Sequence, residues 1–287
     1  EEVGCWSVLG LGTEYDPEFL LTSEQKKLRD RLVEVCRTKI RPLAIENDRN
    51  YQFPRESIKA LAELGLLGLI IPKKFGGLGE NHVCCSAIVE APRSIRMCCH
   101  SYDLLELQPR DYWGGVCASD PATGSHDWFP LSSKVRYQDD NTMRLLKYGS
   151  WCTSAGFADF YCIMTISPQF TNNFSALSFF FVYKDEIRAS TDDWSALGMH
   201  ANQSGPIVVE GVFNTDRLIG SAQDGRKIME ECVDAYFLLL TSCVWSGIAL
   251  GCLDLSRRHV TPSSSRRCRH EGLRLPRHSG LRGRVSN

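Results

Sequence analysis

The first third of the chain alternates apolar and polar residues with the period of an α-helix. Thr22 and Gln25 have the spacing of a capping box, in which two side chains satisfy backbone groups at the start of a helix. The apolar positions that follow are Leu28, Leu32, Val35 and Ile40. This pattern predicts an amphipathic helix that begins after Thr22 and is ended by Pro42.

A second helix is predicted to begin at Phe53-Pro54, because proline suits the first helical position. Its apolar face consists of Ile58, Leu61 and Leu64. Gly65 follows as a typical C-cap residue, and LLGLIIPKKFGGLG then leads into a glycine-rich turn. Between residues 81 and 112 no clean period remains, and Pro92 interrupts the helical pattern.

From Val116 onward the pattern becomes typical of strands. A polar turn, Asp139-Asp140-Asn141, separates LSSKVRY from MRLLKYG and predicts a hairpin. Three further runs are rich in β-branched and aromatic residues: FYCIMTIS, ALSFFFVY and PIVVEGVF. We predict an antiparallel β-sheet or β-barrel in this part of the chain.

Helical spacing returns after Asp224-Gly225 and continues to about Arg258. Within it, residues 235–252 are apolar enough to span a membrane, and Gly247 and Gly251 form a GxxxG pattern. Hydroxyl side chains inside the run and acidic residues at both ends favour the core helix of a soluble bundle instead. The membrane span remains the alternative.

The order helical, β, helical predicts an α+β multidomain fold. We assign residues 1–112 to an N-terminal helical domain, 113–222 to a middle β-domain, 223–258 to the first helix of a C-terminal helical bundle, and 259–287 to a basic, disordered tail. From Ser256 onward the chain has nine Arg, no Lys and one acid, whereas the preceding residues contain 24 bases and 33 acids. The formal net charge of -1 predicts no overall attraction to nucleic acid or membranes.

The 13 cysteines are predicted to be reduced, buried thiols, since the number is odd and no CxxC occurs. Cys162, Cys232, Cys243 and Cys252 lie among apolar neighbours. Gly10 and Gly12 match the start of the dinucleotide-binding motif, but the third glycine of that motif is missing, so no nucleotide site is predicted there. Cys268, His270 and His278 match no standard zinc spacing, so no metal site is predicted.

The loop VCASDPATGSHD, residues 116–127, combines a proline, a glycine and several hydroxyl groups. Gly124 permits backbone angles that other residues avoid, and Ser119, Thr123 and Ser125 offer hydroxyls beside backbone N–H groups. Such a loop can bind a phosphate or the edge of a flavin, although an ordinary tight turn has the same composition.

Five segments in one order resemble the acyl-CoA dehydrogenase family. FPRESIKALAELGLLGLIIPKKFGGLG resembles its N-terminal helical domain, and VCASDPATGS resembles its flavin loop, Y-C-V-T-E-P-G-A-G-S. YGSWCTSAGFADFYCIMT resembles the G-x-x-W-I-T-N-G-x-x-A-D-x-Y segment. ALGMHANQSGPIVVEGVFNTDRLIGSAQDG and GIALGCLDLSRR resemble the exit from the β-domain and the first long C-terminal helix.

The resemblance implies an FAD enzyme that oxidises acyl-CoA thioesters to 2-enoyl products. The implied cofactor-binding residues are Cys117, Ser119, Gly124, Ser125, Trp151 and Thr153. Trp151 would pack against the isoalloxazine, Thr153 would face its N5 side, and Ser125 would also contact the substrate. Read without the resemblance, Trp151 is a β-core aromatic residue and Thr153 an ordinary strand residue.

The chain departs from the family pattern at several positions. Val116 replaces an aromatic residue and Ala122 a glycine, and the segment between Gly79 and Cys117 is some twenty residues short by the family pattern. After Arg258 the pattern is lost: the position of one subfamily's catalytic glutamate is Ser264, and Glu271 aligns with nothing. No catalytic base is therefore assigned. The tail is interpreted either as a disordered basic arm or as an out-of-frame or mis-spliced end.

Three functions remain open from the sequence: a dehydrogenase, a non-catalytic flavin- or acyl-CoA-binding homologue, and an acyl-CoA oxidase or flavin monooxygenase. The resemblance also implies an acceptor of the electron-transfer flavoprotein type and a homo-oligomer. By resemblance alone it implies a mitochondrial or cytoplasmic location, although EEVGCWSVLG shows no signal or transit pattern.

Overall fold

The computed structural model of the chain describes residues 20–91, 112–123, 132–170 and 176–260. Several sequence predictions lie outside the described residues. They concern Gly10 and Gly12, the flavin-loop residues Gly124 and Ser125, and the tail from residue 261 onward.

Within residues 20–91 the chain forms four α-helices: α1 (Ser23–Val35), α2 (Arg41–Arg49), α3 (Arg55–Ala62) and α4 (His82–Glu90). The predicted capping box is confirmed. Thr22 N donates to Oε1 of Gln25 over 3.0 Å, and Gln25 N donates to Oγ1 of Thr22 over 3.3 Å. Because both partners lie within one helical turn, this helix start is determined by local sequence.

The prediction that Pro42 ends the first helix is wrong. One π-helical turn, Cys36–Ile40, connects α1 to α2, and the helical path continues to Arg49. Pro42 lies in the first turn of α2, where an N–H group has no intrahelical acceptor of its own. The wider π-turn changes the hydrogen-bond register just before the proline, so its missing donor does not end the helix.

Helix α3 begins one residue later than predicted, with Pro54 as its N-cap, and buries Ile58 and Leu61. Gly65 follows with φ +77°, in the left-handed region that glycine tolerates best. The predicted stop at Gly65 is confirmed.

Among the described residues, seven strands form two sheets. One sheet contains β1 (Gly114–Cys117), β4 (Phe160–Ile166) and β5 (Leu177–Tyr183), in the order β1-β4-β5. The other contains β2 (Lys134–Tyr137), β3 (Thr142–Cys152), β6 (Ile187–Ala189) and β7 (Gly205–Asn214), in the order β2-β3-β7-β6. The predicted hairpin is confirmed: Asn141 N and Thr142 Oγ1 both donate to the carboxylate of Asp139, between β2 and β3.

Two features of the predicted β-domain need correction. Strand β1 pairs with β4 in parallel, with Gly114 opposite Phe160, so the domain is mixed rather than antiparallel. Within the described residues the sheets also do not close into a barrel. The parallel pairing joins segments that are far apart in the chain, and period-two patterning carries no information on strand direction.

Two hydrophobic cores account for most of the packing. The sheets enclose one of them, with Leu145, Tyr161, Ile163, Phe180 and Val209 at its centre. The other lies among the helices and contains Leu32, Leu66 and Ile88 together with Leu240 and Val244 from the last helix, α6 (Asp234–Val260). The first and last helical segments of the described chain therefore share one core.

The C-terminal helical segment begins with α5 (Gly225–Ile228), and a π-helical turn, Met229–Val233, connects it to α6. Residues Gly225–Leu253 are long and apolar enough to cross a membrane, with a mean hydropathy of 1.8, which is weak evidence for a span. Only 17% of this apolar window is buried, so in the described structure α6 is not the enclosed core helix that the sequence predicts. One face packs on α4, whereas Leu238 and Trp245 are exposed.

The cysteine prediction is confirmed in part. Cys36, Cys84, Cys85, Cys117 and Cys152 are buried free thiols, but Cys232 and Cys252 are exposed on the C-terminal helical segment. These two cysteines have apolar sequence neighbours, yet their side chains are exposed.

Candidate functional site

The loop that follows β1 is attached to the end of β3 through one hydroxyl group. Oγ of Ser119 donates to the carbonyl oxygen of Trp151 over 2.8 Å and accepts from the N–H of Trp151 over 2.9 Å. These two bonds use the only proton and one of the two lone pairs of the hydroxyl. Ser119 can therefore accept one further hydrogen bond but cannot donate one while this contact persists.

Trp151 presents a large aromatic surface at this junction. Its side chain is 54% exposed, and its ring is nearly perpendicular to that of Trp194, with an interplanar angle of 74° and centroids 5.8 Å apart. Trp194 is itself oriented by a hydrogen bond from Nε1 to the carbonyl of His200 over 2.9 Å. An exposed, oriented indole ring is a suitable surface for stacking a planar ring system.

Thr153 follows two residues later and is half-buried. Its Oγ1 lies 3.1 Å from Oγ of Ser204, which precedes β7. Oγ of Ser204 in turn lies 3.0 Å from Oδ1 of Asn202. Thr153 is thus the outer member of a line of three polar side chains that leads into the protein.

Asp120 organises the loop itself. Its carboxylate, in a residue that is 1% exposed, accepts from Ala122 N over 3.0 Å. It also accepts from Ser132 N, over 3.1 Å at Oδ1 and 3.0 Å at Oδ2. Because Ala122 and Ser132 lie on opposite sides of residues 124–131, one side chain fixes both ends of this segment.

A buried cation lies beside this carboxylate. Nζ of Lys147, on β3, is 3.7 Å from Oδ2 of Asp120 and donates to the carbonyl of Ala118 over 3.3 Å. Lys147 is fully buried, so the charges of both residues are largely removed from water. The backbone donors that reach Asp120 offset part of that desolvation cost.

The Cys117 side chain points into the core beneath the loop. A Cβ atom added to Gly149 would lie 2.2 Å from Sγ of Cys117, so only glycine fits against it. A hydrogen bond from Cys152 lowers the pKa of the Cys117 thiol; burial opposes this, and the charge of Lys147 adds to it. The predicted cofactor contact of Cys117 would therefore involve its backbone rather than its thiol.

The structure thus brings three predicted residues, Ser119, Trp151 and Thr153, to one edge of the β-domain. A flavin fits what is present there: an exposed indole face, two hydroxyl oxygens that can accept hydrogen bonds, and a loop held in place by buried charges. A separate cavity of about 580 Å³ between α3 and the start of β1, lined in part by Arg55, Ile58 and Trp113, includes none of these residues.

Sequence reasoning missed four residues of this arrangement: Asp120, Lys147, Asn202 and Ser204. A signal for Asp120 was available, because an Asp followed by Pro commonly accepts from the backbone N–H two residues on. Lys147 also occupies an inward position on a strand whose buried residues alternate. Asn202 and Ser204 gave no such signal, since their roles depend on contact with Thr153, which is 51 positions away.

Comparison with known proteins shows similarity to acyl-CoA dehydrogenases. The family sequence model described as acyl-CoA dehydrogenase, N-terminal domain, matches residues 22–102 of this chain. Glutaryl-CoA dehydrogenase from Desulfococcus multivorans is 22% identical over 270 residues, which are 84% of this chain and 68% of that protein. Mitochondrial isobutyryl-CoA dehydrogenase from Dictyostelium discoideum is 23% identical over 269 residues, 85% of this chain and 64% of that protein.

Other matches are shorter. Acryloyl-CoA reductase (NADH) from Anaerotignum propionicum is 44% identical over 62 residues, which are 22% of this chain and 16% of that protein. The chain therefore spans between 16% and 68% of the length of these three relatives.

Solved structures share the fold. A glutaryl-CoA dehydrogenase in complex with glutaryl-CoA superposes with a TM-score of 0.69 at 22% identity, covering 84% of this chain and 67% of that one. Butyryl-CoA dehydrogenase from Megasphaera elsdenii gives 0.70 at 16% identity, covering 86% and 72%. The chain is thus similar to acyl-CoA dehydrogenases in sequence, through an N-terminal domain match and distant full-length relatives, and it shares their fold.

Proposed function

We propose that this chain binds FAD at the edge formed by Ser119, Trp151 and Thr153 and contributes to α,β-dehydrogenation of an acyl-CoA thioester. The observation that supports this best is the Ser119–Trp151 contact, which joins the loop after β1 to the exposed indole at the end of β3. When bound, FAD supplies the two-electron oxidising capacity that no amino-acid side chain has.

The residues of this chain then have distinct roles. Trp151 stacks on the planar ring, Thr153 presents its hydroxyl oxygen to the same ligand, and Ser119 keeps the loop attached to β3. Asp120 and Lys147 hold the residues that follow β1 in place through their buried ion pair. Within the described residues we assign no carboxylate as the base that removes a substrate proton.

The partners and location are also proposals that rest on the family resemblance. An acceptor of the electron-transfer flavoprotein type, a homo-oligomeric assembly and a mitochondrial or cytoplasmic location are the expectations. Cell fractionation and sedimentation of the native protein would test location and assembly directly.

Flavin binding is tested by the visible spectrum of the purified protein. We expect bound flavin in the wild type and a lower flavin-to-protein ratio in Trp151→Ala and Thr153→Ala, since a buried hydrogen bond or a stacked ring contributes on the order of 1–3 kcal/mol. Trp245→Ala is the matched control, because this tryptophan is 62% exposed on α6, away from the site. Equal flavin content in all four proteins would contradict the proposed site.

Activity is tested separately by adding acyl-CoAs of graded chain length to the flavin-loaded protein without oxygen. Bleaching of the flavin absorbance supports the dehydrogenase. Bound flavin that stays oxidised favours a non-catalytic binding homologue. Oxygen is then admitted: rapid reoxidation of the bleached flavin indicates an oxidase, and substrate turnover that begins only with oxygen indicates a monooxygenase.

A further inference from the structure

The side chains of Thr153, Ser204 and Asn202 form a continuous line of hydrogen bonds that runs from the surface into the protein. Oγ1 of Thr153 lies 3.1 Å from Oγ of Ser204, and Oγ of Ser204 lies 3.0 Å from Oδ1 of Asn202. Thr153 is half-buried, whereas Ser204 is 8% and Asn202 4% exposed. The two inner members are therefore largely shielded from water.

The backbone identifies which end of the Asn202 amide faces Ser204. The N–H of Ser204 donates to the same Oδ1 atom over 3.2 Å. A backbone N–H can only donate, so the atom that it meets must be the carbonyl oxygen and not the amide nitrogen. This oxygen has no proton, and therefore the Ser204 hydroxyl donates to it.

This assignment determines the direction of the next hydrogen bond. A serine hydroxyl has one proton, and that of Ser204 is used on Asn202. The contact with Thr153 is then possible only if Oγ1–H of Thr153 donates to Oγ of Ser204. The proton of Thr153 is directed inward, and only lone pairs of its oxygen remain available to a ligand.

We propose that Asn202 and Ser204 are positioning residues that make Thr153 an acceptor-only group toward the flavin and so favour its reduced form. This step rests on the proposed function and on the expectation from the family resemblance that Thr153 faces the N5 side of the ring. N5 of oxidised flavin has a lone pair and no proton, whereas two-electron reduction with uptake of a proton gives it an N–H. Thr153 can accept from that N–H but has nothing to donate to the oxidised nitrogen.

Removing the Ser204 hydroxyl should reverse this preference. In Ser204→Ala the Thr153 hydroxyl is free to rotate and to donate to oxidised N5. We expect the preference of the site for reduced over oxidised flavin to fall about tenfold, the effect of roughly one hydrogen bond. For a two-electron couple this corresponds to a midpoint potential lower by about 30 mV.

The experiment compares midpoint potentials of the flavin-loaded proteins by equilibration with reference dyes. Ser204→Thr is the matched control, because it keeps the hydroxyl and should keep the wild-type potential. Asn202→Ala removes the acceptor at the inner end and should lower the potential as Ser204→Ala does. Asn202→Ala provides the test if Ser204→Ala does not fold.

A double variant separates this role from a purely structural one. With Thr153→Val there is no hydroxyl to direct, so adding Ser204→Ala should no longer change the potential. An unchanged potential in Ser204→Ala with normal flavin content would overturn the inference and leave the proposed function intact. A shift that persists in the Thr153→Val background would also overturn it. A wild-type protein without flavin would overturn both proposals.

Discussion

Lys147 and Asp120 show how strongly a single pair of side chains can constrain this site. Both are almost fully buried, and the pair links β3 to the loop after β1 through Nζ, Oδ2 and the Ala118 carbonyl. A buried ion pair is a weak source of net stability, but breaking it leaves one uncompensated charge in a medium of low polarity.

We therefore expect Lys147→Met to lower the free energy of unfolding by about 3–5 kcal/mol. Asp120→Asn added to Lys147→Met should recover part of the loss, because it removes the uncompensated charge. Urea unfolding followed by circular dichroism measures both.

The matched control is Arg188→Met, which breaks an ion pair between β6 and β7 whose side chains are 70% and 51% exposed. Such an exposed pair contributes about 1 kcal/mol or less. Equal losses in Lys147→Met and Arg188→Met would show that burial of the Lys147–Asp120 pair has no energetic consequence.

At the scale of elements, the segment before β7 connects the helices to the sheets. Ring nitrogens of His200 lie 3.0 Å from the carbonyl of Asp48 and 2.7 Å from that of Ala196. The backbone N–H of His200 donates to Oδ1 of Asp48 over 3.0 Å, and its ring stacks on Tyr51 with centroids 4.2 Å apart. This one residue joins α2 and the turn after it to the loop that contains Asn202 and Ser204.

His200→Phe should lower the free energy of unfolding by about 1–3 kcal/mol, because it keeps a ring against Tyr51 but removes the ring N–H that donates to a backbone carbonyl oxygen beside it. His82→Phe is the matched control, since His82 stacks on Tyr236 at 4.7 Å on an exposed part of α4. Chemical denaturation of both variants compares them. A loss in His82→Phe as large as that in His200→Phe would contradict this role of the His200 hydrogen bonds.

At the scale of the whole molecule, the shared helical core predicts sensitivity to alkaline pH. Burial raises the pKa of Cys36, Cys84 and Cys85 from 9.0 to about 12. In the unfolded chain these thiols have their ordinary pKa of 9.0, so unfolding above about pH 9 releases protons. The stabilisation from keeping them neutral is fully present below about pH 9 and is lost as the pH rises toward 12.

The free energy of unfolding should therefore fall between pH 9 and 12 by up to about 1.4 kcal/mol per pH unit for each buried thiol that ionises on unfolding. Urea unfolding at successive pH values measures this slope. Cys36→Ala should make it shallower, whereas Cys252→Ala, at an exposed position, should leave it unchanged. A slope that is the same in all three proteins would contradict the prediction.

Local signals in the sequence predicted the parts of the fold that depend on neighbouring residues. The capping box of Thr22 and Gln25, the stop at Gly65 and the turn at Asp139 each involve groups within a few positions of one another. Pro42 misled the prediction because a π-turn placed it where its missing donor has no effect. The parallel pairing of β1 and β4 was missed because strand patterns are the same for both directions.

The sequence by itself determined the succession of helical, β and helical segments and their resemblance to the acyl-CoA dehydrogenase family, because periodicity and motif order can be seen without any knowledge of contacts. Only the tertiary structure decided how the site is built. Ser119 meets Trp151 across 32 positions and Thr153 meets Ser204 across 51, and both contacts depend on how the sheets bring the loops together. The direction of the Thr153 hydroxyl follows from those contacts, since a shared proton is assigned by its neighbours in space and not by its neighbours in the chain.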